Sequence, residues 1–426
     1  MKFTKRDLIG AGGLAAFGVA VTACGVQPVA SSSSLGGEKT SVLKSLAGNV
    51  PVITARDHMA RIAKAQKLMR AAGIQALVLE AGASLQYFTG IRWWRSERLT
   101  AAVIPAEGEI GVVTPHFEEP SIRESMKVGK DVRVWNEHES PFARLAGILK
   151  DRNISGGKIA FEDTVRFFAV DGLQKIAPQY EIVSGGKIVW GCRMIKSAKE
   201  LSLMQTANDI TMAAYRHTYP QIETGMTPAD IRAIMSKATE ALGGHNEFSL
   251  VLLNEASAFP HGSGTPQKVQ EGGIVLMDCG ASVNGYESDI SRTFVHGEPS
   301  ERQYEVWNLV RDGQALAFET AQLGTPTGQI DDVVRALYES KGYGPGYKTP
   351  GLSHRTGHGI GLEGHEQVNF VHGETTPLAQ GMCLSNEPGL YIFGEFGVRL
   401  EDCLYMSETG PKYFSTPPTT LNDPIG

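Results

Sequence analysis

Along Met59-Ala60-Arg61-Ile62-Ala63-Lys64-Ala65-Gln66-Lys67-Leu68-Met69 the apolar positions fall three and four apart, the spacing that lines one face of a helix. Strand-like apolar runs follow at Ala76-Leu77-Val78-Leu79 and Ala101-Ala102-Val103-Ile104. Alternation of the two patterns predicts an α/β domain over residues 51–189. The pattern changes near Trp190-Gly191-Cys192-Arg193. A long helical repeat then runs through Leu203, Ala207, Ile210 and Ala213-Ala214, with Ser197 as its cap and Glu200 three positions on, the arrangement of a capping box. The domain boundary is placed here, and residues 190–426 form the second region. A further helix is expected from Pro228 to Leu242, capped by Thr227, opened by Pro228 in its first turn and stopped by Gly243-Gly244. Beyond it, the chain turns to short strands and glycine loops.

With 426 residues, 42% of them hydrophobic, the chain is long enough for two domains with buried cores. A net charge of -6 and 20% charged residues exclude the basic footprint of a nucleic-acid binder and the imbalance of a disordered chain. The 49 glycines show no collagen-like period and gather beside His, Asp and Glu in the last third, which suggests loops pressed against a site. Cys192, Cys279, Cys383 and Cys403 are spaced widely and form no Cys-x-x-Cys pair, so buried free thiols are expected rather than a disulfide framework or a cysteine zinc site.

The first residues read as an export signal. Lys2, Lys5 and Arg6 precede a small, apolar run from Leu8 to Val21, too short to span a membrane comfortably. Val21-Thr22-Ala23-Cys24 resembles a bacterial lipobox, in which the cysteine receives lipid. Thr4-Lys5-Arg6-Asp7-Leu8 resembles a twin-arginine signal with lysine in place of the first arginine. Residues 1–24 are therefore expected to be a signal peptide, residues 25–50 a flexible tether around Ser31-Ser32-Ser33-Ser34, and the protein an exported one, anchored in the bacterial cell envelope through a lipid on Cys24.

Candidate chemistry begins with Ile274-Val275-Leu276-Met277-Asp278, an apolar strand that delivers a carboxylate. Asn284-Gly285 is the signature of a two-residue hairpin turn. If Val283 pairs with Tyr286, then Asp278 lies opposite Ser291 and Asp289 opposite Gly280. Asp278 and Asp289 become diagonal neighbours on one face, roughly 7 Å apart, close enough to converge on metal ions. The segment from His354 to His365, His-Arg-Thr-Gly-His-Gly-Ile-Gly-Leu-Glu-Gly-His, adds imidazoles within a glycine loop. In Ser385-Asn386-Glu387-Pro388-Gly389 a strand ends in a carboxylate, and in Gly397-Val398-Arg399-Leu400-Glu401-Asp402 a period of two puts Arg399 and Glu401 on one face, where the cation can hold a carboxylate. Gly359 to Gly364 also fits the dinucleotide pattern G-x-G-x-x-G, but neither an apolar strand before it nor a long helix after it supports that use.

These motifs, in this order, resemble the creatinase and aminopeptidase P family, which includes the prolidases. Residues 190 to 410 carry VLMDCG, ESDISRTF, TGHGIGLEGHE, SNEPG and VRLED, and residues 51–189 look like the family's N-terminal domain. The resemblance implies an α+β chain with a C-terminal pita-bread catalytic domain and a creatinase-type α/β N-terminal domain. It implies two divalent metal ions, manganese first with cobalt or zinc as alternatives, held by Asp278, Asp289, His358, Glu387 and Glu401. It further implies proline-containing peptides as substrates, with Glu387 as proton shuttle and His365, His261 and Arg399 as substrate-handling or supporting residues. A homodimer is implied too, in which Trp93 and Trp94 are candidates for closing the partner's site. The competing readings are a non-peptide C–N hydrolase or lyase on the same scaffold, and a catalytically silent binding protein.

Overall fold

The computed structural model describes residues 43–425. The expected signal peptide, Cys24 and residues 25–42 of the expected tether lie outside the described residues. Leu43, Ala47 and Val50 pack against the core, and the amide of Leu46 donates to Leu242 O at 2.8 Å, so residues 43–50 belong to the folded body.

The first half of the described chain supplies strands β1 Ile74–Glu80, β2 Ala101–Pro105, β3 Gly111–Pro115, β4 Asp131–Trp135, β5 Gly157–Phe161 and β6 Tyr180–Ser184. They form one sheet in the order β4-β3-β2-β1-β5-β6, parallel at β3/β4, β1/β5 and β5/β6 and antiparallel at β1/β2 and β2/β3. Helices α1 Ala55–Ala71, α2 Ala83–Thr89, α3 Glu119–Ser125, α4 Pro141–Asp151, α5 Phe167–Ile176 and α6 Gly186–Arg193 complete this α/β part. From Ala76 onward β1 is buried at every residue because helices cover both faces of the sheet, which is why its sequence is a continuous apolar run.

The second half contributes α7 Ala198–Thr218, α8 Pro228–Ala241, α9 Glu301–Thr320 and α10 Thr327–Ser340. Its first sheet joins β7 His245–Leu253, β8 Gly273–Val283, β9 Tyr286–Glu287 and β10 Ile290–His296, with β8 between β7 and β10. A second sheet has the order β12-β11-β13-β16-β17, from β11 Gly357–Gly359, β12 Glu366–Phe370, β13 Cys383–Asn386, β16 Asp402–Ser407 and β17 Gly410–Tyr413. The pair β14 Gly389–Ile392 and β15 Phe396–Arg399 stands beside them.

Local signals in the sequence act as expected. Ser197 and Glu200 form the capping box of α7, and Thr227 and Asp230 that of α8. Asn284 and Gly285 take positive φ values of 54° and 85°, the backbone that a two-residue hairpin turn requires. The register that follows is Val283 with Tyr286 and Asp278 with Ser291. Between β9 and β10 the ladder opens at Ser288 and Asp289, which frees the Asp289 side chain from regular pairing while the register resumes unchanged at Ile290 with Cys279.

The two halves share a core. One apolar cluster runs from Ile62, Leu77 and Ile188 to Leu203, Tyr215, Met277 and Ile360. Buried charges stitch the same boundary: Arg61 of α1 donates to Glu200 of α7 at 2.9 Å, and Arg193 at the end of α6 donates to Glu366 of β12. All four described cysteines are free and buried.

Candidate metal centre

Each strand-borne acid arrives from a different element. Asp278 projects from the middle of β8, Asp289 from the opened ladder before β10, Glu387 from the residue after β13, and Glu401 from the link between β15 and β16. His358 lies at the centre of β11, where glycine on either side is obligatory for close packing. A Cβ on Gly357 would stand 2.2 Å from Ser385 O, and one on Gly359 would stand 2.6 Å from Gln367 O.

These groups converge. One ligand atom each from Asp289, His358 and Glu401 lie within 4.8 Å of one another, all buried. His358 Nε2 is 3.6 Å from Asp289 Oδ2 and 3.4 Å from Glu387 Oε1. Arg399 Nη2 meets Asp278 Oδ2 at 2.6 Å, which brings the fourth carboxylate into the same network. The nest opens on a cavity of about 670 Å³ that His261, His354, Arg355 and His365 also line, with Phe248 and Leu250 as its apolar wall.

Without positive charge this arrangement is unfavourable. Asp278 Oδ1, Asp289 Oδ1 and Glu401 Oε1 are buried with no hydrogen-bond partner. Burial, then repulsion from Glu401, Asp278 and Glu387, holds Asp289 far above the ordinary carboxylate range. Glu401 is raised in the same way, by burial and then by Glu387 and Asp278. Burial pushes Glu387 up to about 7 against the opposing pull of Arg399. Burial, with His365 and Arg355 nearby, drives His358 far below its usual value and keeps it neutral. The His358 Nδ1–H donates to Gly359 O at 3.1 Å, so the Nε2 lone pair faces the carboxylates. A neutral imidazole with its lone pair presented, among orphaned carboxylate oxygens, is the donor set that hard-to-borderline divalent ions accept.

Arg399 and Glu401 line the same cavity, as their spacing implies, but the carboxylate that Arg399 holds is Asp278. Arg399 contacts Asp278 directly and reaches Glu401 only through Ser291, whose hydroxyl accepts from Arg399 Nε at 2.9 Å and donates to Glu401 Oε2 at 2.7 Å. β15 ends at Arg399, and the Glu401 amide donates to Ser291 O at 3.1 Å, which fixes the link to β10. Asp402 turns away, as its position implies, into a fully buried pair with Arg292 at 2.8 Å. His365 stacks edge-on against His358 with ring centres 4.2 Å apart, and His261 lies exposed on the cavity wall.

Several supporting residues had no role assigned from the sequence, although His354 opens the histidine segment and Glu287 opens the motif ESDISRTF. His354 Nδ1–H donates to Arg355 O at 2.7 Å, so its Nε2 accepts from the Tyr391 hydroxyl at 2.7 Å, and that oxygen in turn accepts from Arg399 Nη1 at 3.0 Å. Burial brings His354 down to about 3, consistent with a neutral ring. On α10, Asp331 and Arg335 pair at 2.7 Å. Asp331 binds the amide and hydroxyl of Thr356, while Arg335 donates to Leu352 O. Thr356 O accepts the amide of Glu387 at 2.9 Å, so this pair anchors the backbone behind the nest. The one available signal was an opposite-charge pair four residues apart on a helix. Glu287, on the cavity wall, is raised to about 8 by burial and by Glu247, Glu363 and Glu366.

The fold and the nest together define a metal-dependent hydrolase framework. The chain matches the creatinase/prolidase N-terminal domain over residues 61–195 and metallopeptidase family M24 over residues 202–408. It is 32% identical to an uncharacterised peptidase of Schizosaccharomyces pombe over 79% of this chain and 76% of that one. It is also 30% identical to the Xaa-Pro dipeptidase of Lactobacillus helveticus over 78% and 90%. Among solved structures, it superposes on dipeptidase PepE from Mycobacterium ulcerans with a TM-score of 0.80 and 29% identity, covering 87% of this chain and 98% of that one. The chain belongs to the M24 metallopeptidases, within the creatinase, aminopeptidase P and prolidase family, and has their pita-bread catalytic fold behind a creatinase-type N-terminal domain. Membership implies divalent metal ions, which the donor set described above fits.

Proposed function

We propose that the protein is a two-metal-dependent peptidase that removes the N-terminal residue from peptides with proline in second position, as an Xaa-Pro aminopeptidase or dipeptidase. The observation that carries this reading is the buried nest, in which orphaned carboxylate oxygens and the lone pair of His358 converge beside a peptide-sized cavity. Asp278, Asp289, His358, Glu387 and Glu401 are the ligands, with manganese as the first candidate and cobalt or zinc as alternatives. When bound, such ions supply an acidified water and a polarised scissile carbonyl. Glu387 would take the proton of the attacking water and pass it toward the leaving proline nitrogen. His365 and His261 face the cavity and steady the tetrahedral oxygen. Arg399 holds Asp278 in place. The similarity to a curated Xaa-Pro dipeptidase over most of both chains supports the choice of substrate.

Around this core we place the protein in the bacterial envelope, anchored through lipid on Cys24, and assembled as a homodimer. Trp93 and Trp94 stack with ring centres 5.5 Å apart, and Trp94 is exposed, a pair suited to closing a partner's cavity. Unchanged dimerisation and kinetics after both are replaced by alanine would end that suggestion. Labelling with palmitate, lost in Cys24→Ala, tests the anchor. The catalytic reading is tested with protein lacking residues 1–24, stripped of metal and then given manganese, cobalt or zinc. Release of the first residue from Xaa-Pro and Xaa-Pro-Xaa peptides is expected only with metal, and not in Asp289→Ala. A metal-loaded protein that cleaves neither series refutes it, and relative rates on the two lengths separate dipeptidase from aminopeptidase.

A further inference from the structure

We propose that Glu287 selects peptides whose first residue carries a cationic side chain, lysine or arginine, by receiving that charge at the end of the cavity away from the carboxylate nest. The inference rests on the Xaa-Pro reading and narrows its substrate class.

Glu287 is fixed by its backbone, because β9 pairs Ser282 with Glu287 and the Glu287 amide donates to Gly361 O at 2.8 Å. Its side chain lines the same cavity as the nest. There it lies under Gly364, where a Cβ would stand only 3.1 Å from Glu287 Oε2, so the glycine loop leaves room for this carboxyl group. Among the described residues, no hydrogen bond or ion pair reaches that carboxyl. The charges that bear on it most are Glu247, Glu363, Glu366 and Arg193, none of them a member of the nest. Arg193, the cation of that set, is already engaged by Glu363 at 2.8 Å, by Glu366 and by the Ser84 hydroxyl. A carboxyl group therefore faces the cavity without a hydrogen-bond partner or counter-ion of its own.

The same cavity offers Phe248 and Leu250 as apolar wall. Apolar surface ending in an unpartnered carboxyl group complements a long aliphatic stem whose cationic head can donate to it. The peptide's α-ammonium is a poor candidate for this contact. It sits on the carbon next to the scissile carbonyl and so remains beside the nest, whereas a lysine ammonium is carried away on a four-carbon stem.

The test compares Lys-Pro, Arg-Pro and Leu-Pro, with manganese-loaded wild type and Glu287→Gln, which keeps the shape of the side chain. Wild type is expected to favour Lys-Pro over Leu-Pro in kcat/KM by about tenfold, the scale of one charge-assisted hydrogen bond, chiefly through KM. Glu287→Gln should remove that preference, and Glu287→Lys should reverse it toward Glu-Pro. Equal treatment of Lys-Pro and Leu-Pro by wild type overturns the proposal. So does an equal loss on all three peptides in Glu287→Gln, which would assign the residue to the α-ammonium or to the nest itself. Calorimetric binding of Lys-Pro and Leu-Pro to the same proteins is read independently of turnover. If no proline peptide is cleaved, a Lys-Pro preference in binding that Glu287→Gln abolishes still supports the cationic subsite, and equal binding refutes it.

Discussion

Asp289 sits in conflict with its surroundings: it is buried, one of its oxygens has no partner, and three other carboxylates repel it. Removing its charge therefore relieves the metal-free protein while destroying the donor set. Asp289→Asn is expected to raise the metal-free thermal midpoint, by relief of about 1 kcal/mol or more, and to abolish the rise expected on adding manganese to wild type. A variant still stabilised by manganese as strongly as wild type would falsify the role of Asp289 as ligand. Ser291 makes the opposite point, since its hydroxyl carries no charge yet joins Arg399 to Glu401. Ser291→Ala should lower kcat about 10- to 100-fold with the fold intact by circular dichroism, the usual scale for a residue that orients a ligand. Unaltered kinetics would mean that Arg399 and Glu401 hold their places without the bridge.

At the scale of elements, the site depends on backbone segments that have little regular structure of their own. Residues 346–356 are tied to α10 by Asp331 and Arg335, which between them hold Gly346 O, Leu352 O, His354 O and the Thr356 amide. Asp331→Asn leaves the Arg335 charge buried and uncompensated, so stability should fall by about 3–5 kcal/mol. Hydrogen exchange should then report faster opening over residues 346–356 than in α7, whose capping box is remote from the change. Uniform acceleration across the chain would show that the pair supports the whole body and not this segment in particular.

For the whole molecule, the buried charges between the two halves make stability depend on pH. Although burial opposes ionisation, Lys196 and Arg193 hold Glu366 down to about 2 from an ordinary 4.5. A carboxylate whose value is depressed on folding contributes stability that is complete above its unfolded pKa, here near 4.5, and is lost as pH falls toward 2. Glu366→Gln should therefore cost about 3 kcal/mol at pH 7, and the difference from wild type should shrink as pH drops from 4.5 toward 2. Urea midpoints across that range measure it. A gap that stays constant with pH would locate the loss in packing instead.

Sequence alone determined what local rules control. Ser197 with Glu200 and Thr227 with Asp230 set helix starts because a cap is satisfied within one turn. Asn284-Gly285 set the hairpin register because few residue pairs tolerate two positive φ angles, and that register placed Asp278 opposite Ser291, whereas the expected pairing of Asp289 with Gly280 gave way to an opening of the ladder. The order of the acid and histidine motifs likewise carried the family. Tertiary structure alone decided which partner each charge took. Alternation put Arg399 and Glu401 on one face, where both line the cavity, but only folding brought Asp278 to Arg399 and set Ser291 between Arg399 and Glu401. The roles of His354, Tyr391, Asp331 and Glu287 stayed illegible for the same reason, even though His354 and Glu287 lie within the quoted motifs. Each is a common polar residue whose role comes from groups distant in sequence, and only folding brings those groups within hydrogen-bond reach or takes their alternatives away.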